Sequence, residues 1–347
     1  MQDTMVLEFP MDHNLVASHE KKADRENDRI MHFGMQRKIV SHMTSESWKT
    51  IPHVTYMYEP DVTDFMQEYR ALSHDASRRH KITVNTIMLK AIAEGLKAAP
   101  ALNAHIDYRE RTVRGSVTVL DHIDISVPWC LPNGEMMTVN LRDVGSKSLD
   151  ELAAYIEEIG RKMKKTDFNE AMYEVAFAET MGHLKRLHLV RVLRRLFGSK
   201  VGKHRVKTLS GKAKKAYRKI PASDRLTKAD LEQGSVTVSN IGSIYREQHG
   251  ATALLEIVPP QIFAVAVGAL QEKPGVYTDQ NGVKQIGIRQ VMPLCLAFDH
   301  RAVDFEALVP LCDLWIACLP IHRSFTSGKK EAVAKCFTCC NSPFLIC

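Results

Sequence analysis

Apolar and polar residues alternate along this chain with two different periods, and the changes of period divide it into elements. MQRKIVSHMTSESW (35–48) has helical spacing and ends at an Ile-Pro-His turn, after which VTYMYEPDV reads as a strand. DFMQEYRALSHDASRRH predicts a helix behind the cap candidates Asp61 and Thr63. TVNTIMLKAIAEGLKAAP (83–100) predicts a strongly apolar helix stopped by Pro100. The β-rich runs SVTVL and HIDISVPWCL follow, then the turn PNGE and the run MMTVNL. SLDELAAYIEEIGRKMKK predicts an amphipathic helix with Ser148 as its cap and Glu151 at the capping-box position. Later, LTKADLEQ predicts a helix capped by Thr227. Strands return in GSVTVSNIG (234–242), ATALLEIV, QIFAVAVGAL, GVYTD and KQIGIRQVMPLCLAF, and VDFEALVPLCDLWIACL (303–319) predicts a buried helix. The order is mixed, without the steady strand–helix alternation of a dinucleotide-binding sheet. No Gly-rich phosphate loop, HExxH motif or GxSxG elbow interrupts it.

A hydrophobic fraction of 45% and a charged fraction of 25% over 347 residues fit a soluble globular protein with a large core. No apolar run approaches the ~18–20 residues of a membrane-spanning helix. The opening MQDTMVLEFPMDHN has neither the basic nor the apolar region of a secretory signal, and its acidic residues argue against a transit peptide. Cys130, Cys295, Cys312 and Cys318 lie in apolar stretches and read as small hydrophobes of a reducing compartment, so a cytoplasmic location is expected. Cys336, Cys339, Cys340 and Cys347 crowd the tail. A Cys-x-x-Cys pair can ligate zinc, but no partnering histidine or second spaced pair accompanies it, and no metal is expected.

The formal net charge of +7 is concentrated. His183 to Lys219 holds fourteen Lys and Arg and no Asp or Glu, so the remainder of the chain is at −7. Within it, HLKRLHLVRVLRRLF (183–197) places Leu184, Leu187, Val190, Leu193 and Phe197 on one face. Such a helix suits a membrane surface or an acidic partner, or packs on its own domain with a solvated basic face, which is the preferred reading. GSKVGKHRVKTLSGKAKKAYRK reads as a basic loop. With no aromatic interleaving beyond Tyr217, nucleic-acid binding is not expected.

Candidate chemistry gathers in AFDHRAVDFEAL (297–308). His300 directly follows an apolar strand, flanked by Asp299 and Arg301, with Asp304 four residues on. A histidine fixed at a strand end beside a carboxylate is how a general base is oriented, though a charged surface turn has the same composition. SVTVSNIG ends another strand with Ser239 and Asn240 just before Gly242, and a hydroxyl and an imidazole at two strand ends could serve one reacting carbonyl.

DHRAVD closely resembles the DHRxxDG signature of the catalytic domain of dihydrolipoamide acyltransferases, the transferase component of 2-oxo acid dehydrogenase complexes, and SVTVSNIG resembles that family's FTISNLG segment. The likeness extends through MQRKIVSHMTSESWKTIPHVTYMYEPDVT, LKAIAEGLKAAPALNAHID, DISVPWCLPNGEMMTVNLRDVGSKSLDELA and VPPQIFAVAVGALQEKPGV, over roughly 34–165 and 225–320. The resemblance implies an α/β (α+β type), chloramphenicol acetyltransferase-like two-layer sandwich: a mixed sheet flanked by helices, assembled as a homotrimer. It implies His300 as the base that deprotonates a thiol of coenzyme A or dihydrolipoamide, and Ser239 as hydrogen-bond donor to the tetrahedral oxyanion. Asp304 would hold the base's surroundings in an ion pair with Arg37, with Asn240, Gly242, Asp299 and Arg301 in support. Base and serine would come from different subunits.

Three departures qualify this. Phe305 stands where the family has glycine, a poor fit if that backbone needs φ > 0 or a close approach. No lipoyl or peripheral-subunit-binding domain accompanies the catalytic one, so the lipoyl group is expected on a separate protein. Residues of about 168–222 form a basic insertion that could gate the acceptor side or attract the phosphates of coenzyme A. The expected organisation is an extension (1–30), a catalytic domain (31–322) and a Cys-rich tail (323–347). Two alternatives stay open: an acyltransferase for a small hydroxyl compound, and a trimeric scaffold that binds a partner through its basic insertion.

Overall fold

The computed structural model describes residues 33–75, 78–130, 136–175, 208–279 and 281–318. The expected helix 183–197 and the Cys-rich tail lie outside them, as does the turn at 132–135. Helix α1 (Met35–Thr50) leads through Ile51 and Pro52 into strand β1 (His53–Tyr58). Helix α2 (Thr63–Ser73) stops well short of the predicted His80. Asp61 does not cap it through its first turn. Its carboxylate accepts instead from the Thr63 N–H and hydroxyl, while Val62 holds the cap position without a side-chain bond. Helix α3 (Val84–Ala98) opens on Thr83, whose hydroxyl accepts from the Thr86 N–H at 3.1 Å. Strands β2 (Ala104–Arg109) and β3 (Arg114–Val119) form a separate two-stranded sheet.

Strands β4 (Ile125–Cys130) and β5 (Met136–Leu141) precede helix α4 (Leu149–Lys164), where the capping box is complete: Ser148 accepts from Glu151 N–H, and the Glu151 carboxylate accepts from Ser148 N–H. The basic stretch expected as loop contains helix α5 (Gly211–Arg218). Its Ala and Lys residues favour the helix, and its Tyr217 is buried. Short helix α6 (Lys228–Leu231) has Thr227 and Asp230 as its box. Strands β6 (Val236–Asn240) and β7 (Phe263–Val267) follow, then a hairpin of β8 (Gln271–Thr278) and β9 (Lys284–Val291). The run KQIGIRQVMPLCLAF is two strands, not one. Pro293 has no N–H to give a ladder, and beyond it β10 (Leu294–Asp299) takes different partners. The predicted final helix is divided into a 3₁₀ turn, Phe305–Leu308, and helix α7 (Val309–Cys318).

The main sheet has the order β1-β10-β7-β6-β4-β5, with β6 parallel to β4 and β7 and all other pairs antiparallel. It is the mixed α/β sheet flanked by helices that the resemblance implies. One face carries Phe263, Val265, Leu296, Phe298 and Val238 into a core shared with α3, α4 and α7. Gly95 sets the α3–α7 approach: a Cβ there would lie 3.0 Å from Leu311 and from the Trp315 indole, which donates to the Ala91 carbonyl at 3.0 Å. The opposite face is lined by small residues. Ala264 and Ala297 pack there with Ile51 and Ile257. This explains why ATALLEIV, expected as a strand, is irregular. Both edges of β7 are already occupied, so Ile257 packs over the sheet rather than joining it.

Candidate active site

Strand β10 delivers the turn that carries His300. Asp299, wholly buried at the strand end, accepts from the Arg301 backbone N–H (2.9 Å) and from its guanidinium at 3.0 Å (Nε) and 2.6 Å (Nη2). The guanidinium also lies over the Tyr108 ring of β2, 5.3 Å from its centroid. A buried carboxylate fully engaged by a planar bidentate cation is a buttress, not a proton acceptor. The turn is tightened by N–H groups of Ala302 and Val303 donating to the Asp299 carbonyl, and the His300 N–H donates to the Pro52 carbonyl at 3.1 Å. His300 therefore hangs on a fixed backbone between β10 and the α1–β1 junction.

The imidazole itself is half exposed, at 52%, with Nδ1 3.2 Å from Asp304 Oδ1. Asp304 is 82% exposed, so this pair contributes little stability. What it does is orient. A carboxylate beside Nδ1 favours the tautomer that carries its hydrogen there, which leaves Nε2 with its lone pair free, the arrangement of a general base. Asp304 stands at the N-cap of the 3₁₀ turn yet makes no cap bond with its side chain. Arg37 is not its partner: among the described residues Asp304 pairs with His300. Arg37 opens α1, ~20 Å by helix rise from the end that meets β1. Phe305 is free of the constraint that a glycine would relieve. Its φ is not positive, and its half-exposed ring packs edge-on against Tyr56, centroids 5.3 Å apart.

Ser239 and Asn240 end β6 on the other side of the sheet. Ser239 is half-buried on the face away from the helices. Asn240 is held at both ends of its amide: Oδ1 accepts from Ser243 N–H (2.9 Å) and Nδ2 donates to Asn85 Oδ1 (3.0 Å). Gly242 is required by crowding. Its φ is not positive, but a Cβ would come within 2.5 Å of the Gly268 carbonyl and 2.7 Å of Ala269. Beside this turn lies a cavity of about 440 Å³, walled by Met66, Tyr69, Val267 and Leu270 and carrying Lys81 and Arg246. No carboxylate lines it, and among the described residues neither cation has an ion-pair partner. Sequence reasoning missed Lys81 and Arg246, because two exposed cations far apart in the chain look like ordinary surface charge.

The structure does not bring Ser239 and His300 of one chain together. β10 runs antiparallel to β7 and β7 parallel to β6, so Phe298 lies level with Phe263 while Ser239 lies level with Ala266. His300 is two residues beyond Phe298 in the other direction. Five residues along the strands and two strand spacings across put the two about 19 Å apart.

Comparison with known proteins accords with this architecture. The model of the 2-oxoacid dehydrogenases acyltransferase (catalytic domain) matches residues 24–176 and 199–319. A dihydrolipoyllysine-residue acetyltransferase component of the pyruvate dehydrogenase complex from Haemophilus influenzae is 25% identical over 272 residues, 77% of this chain and 35% of that protein. The chain thus spans about a third of the length of that relative. Among solved structures, a probable dihydrolipoamide acetyltransferase from Listeria monocytogenes superposes with a TM-score of 0.56 at 18% identity, covering 92% of this chain and 98% of that one. A dihydrolipoamide acetyltransferase of Azotobacter vinelandii, studied for the catalytic roles of a serine, a histidine and an asparagine, gives 0.55 at 20% identity and covers 89% and 99%. With most of its length matched by the family model, this chain belongs to the 2-oxoacid dehydrogenase acyltransferase family, as a catalytic domain.

Proposed function

We propose that this domain moves an acyl group between coenzyme A and a thiol of a dihydrolipoyl group carried on a separate protein. The observation that supports it best is the His300 Nδ1–Asp304 contact, which leaves Nε2 free at an exposed strand end. The histidine and asparagine named for the Azotobacter enzyme are four residues apart, the spacing of His300 and Asp304 here.

The steps follow from the groups available. His300 Nε2 takes the proton of the acceptor thiol, whose ordinary pKa of about 8.5 leaves mostly thiol at neutral pH. The thiolate attacks the thioester carbonyl and its C=O electron pair moves to oxygen. Ser239 donates a hydrogen bond to that oxyanion, an interaction stronger in the transition state than in the ground state. The intermediate collapses, the C–S bond to the donor breaks, and the imidazolium returns its proton to the departing thiolate. No acyl-serine forms. Because base and serine of one chain lie at opposite ends of the sheet, the pair is completed between copies, in a homotrimer. Lys81 and Arg246, in the cavity lined by Asn240 and Gly242 at the end of β6, offer charge to the phosphates of coenzyme A.

The test is acyl transfer from acetyl-CoA to dihydrolipoamide, and separately to small alcohols, followed by chromatographic separation of free coenzyme A and the acylated acceptor. Wild type should transfer to the dithiol and His300→Ala should not. Equal inertness of both toward every acceptor would sink the enzyme reading and favour a scaffold.

A further inference from the structure

A second histidine, His53, is tied into the structure in a way that fixes its proton. Its Nδ1 lies 2.9 Å from the Ile51 carbonyl, which can only accept. Its Nε2 lies 3.0 Å from the Ile257 backbone N–H, which can only donate. These two partners leave a single possibility: a neutral ring carrying its hydrogen on Nδ1. The buried Ser47 hydroxyl is 3.3 Å from Nε2, but it donates to the Ile257 carbonyl at 2.7 Å. Serine and histidine thus hold both backbone groups of Ile257, in a segment that no sheet ladder supports. The residue between Ile51 and His53 is Pro52, whose carbonyl receives the His300 N–H, and His53 lies opposite Asp299 in the β1–β10 ladder.

We propose that His53 is a positioning residue for His300, a clamp that works only as the neutral imidazole. It holds the irregular segment 251–258 against the α1–β1 junction, and so fixes the peptide from which the base hangs. A proton added at Nε2 turns the Ile257 contact into two facing donors, leaving a buried amide without its acceptor. Acid therefore disables the site twice, at His300 itself and at the clamp. The titratable groups on the elements around the ring are Arg37, Lys38, His42, Glu46 and Lys49 of α1, Tyr56 and Tyr58 of β1, Glu256 of the segment, and Asp299, His300 and Arg301 at the end of β10. Among the described residues none of these hydrogen-bonds to the ring, whose own partners are two backbone groups and a serine.

This rests on His300 being the base, so two readouts are needed. In acetyl transfer to dihydrolipoamide, the acid limb of log(kcat/KM) against pH should fall with a slope of two in wild type. His53→Gln, whose amide oxygen can accept from Ile257 and does not titrate, should fall with a slope of one. His53→Ala should lose roughly tenfold to a hundredfold in kcat with KM little changed, as expected for a displaced base, and His53→Gln should recover much of it. Independently of activity, hydrogen exchange at the Ile257 amide should be fast in His53→Ala and slow in His53→Gln. Unaltered exchange in His53→Ala would overturn the clamp. A slope of one in wild type, or full kcat in His53→Ala, would overturn its link to His300. A wild type without transferase activity would sink the enzyme reading and the positioning role together, while exchange still decides the clamp.

Discussion

The end of β10 and the end of β6 carry complementary chemistry and are built in opposite ways. At the β10 end the groups that touch the His300 turn directly are the Asp299–Arg301 pair, the Pro52 carbonyl, and Asp304 four residues on. The base is exposed and its surroundings are a turn. At the β6 end the residues that follow Ser239, Asn240 and Gly242, line a cavity, with an amide network through Asn240 and Asn85 and two cations that have no ion-pair partner among the described residues. One end offers a proton acceptor, and the other a cavity that carries two cations. Each is ordered within its own chain, and about 19 Å of sheet separates them. In the proposed reaction either end alone is half a catalyst.

Substitution should break the two halves differently. His300→Ala removes the proton acceptor and should lower kcat by about 10²–10⁴-fold, with little change in KM for coenzyme A. Asp304→Asn, which keeps an acceptor for Nδ1–H, should be much milder. Steady-state kinetics of both variants checks this.

The asymmetry also explains what the sequence disclosed. His300, Asp299, Arg301 and Asp304 fall within six residues, so they were legible as one cluster, as were the Ser148 and Thr227 caps, because each is set by neighbours in the chain. The Arg37 pairing was not made, since helix rise carries that residue away from its own Asp304. The strand expected at 251–258 failed because ladder vacancy is a property of the whole sheet, not of local β-propensity. The cavity cations and the His53 clamp join parts of the chain brought together only by folding.

At the β6 end, Ser239→Ala should lower kcat by about 10²–10³-fold, the usual cost of one oxyanion donor, without altering the pH dependence that His300 imposes. Smaller and of another kind is the effect expected for Lys81→Ala with Arg246→Ala: KM for coenzyme A rises, by roughly tenfold for lost phosphate contacts, and kcat is spared. A rise in KM for the dithiol instead would assign the cavity to the other substrate.

The smallest effect should come from a region belonging to neither end. Burial alone would raise the Asp61 carboxyl, but hydrogen bonds from Thr63 and the Arg289 guanidinium outweigh it and hold the group below its ordinary value. A depressed carboxyl stabilises the fold above its unfolded-state value and loses that contribution as pH falls through the folded one. Asp61→Asn should therefore lower the melting temperature modestly at neutral pH, and the difference should vanish in acid. Thermal denaturation across pH measures it, and activity per folded molecule should be unchanged.

Complementation tests the two-copy site most directly. His300→Ala and Ser239→Ala chains, each inactive alone, are denatured together in equal amounts and refolded. If base and serine meet between copies, random assortment gives about a quarter of the interfaces both groups, and about a quarter of wild-type activity returns. If the mixture stays as inactive as its parents while assembling normally, the two groups do not meet across copies, and the shared site is wrong.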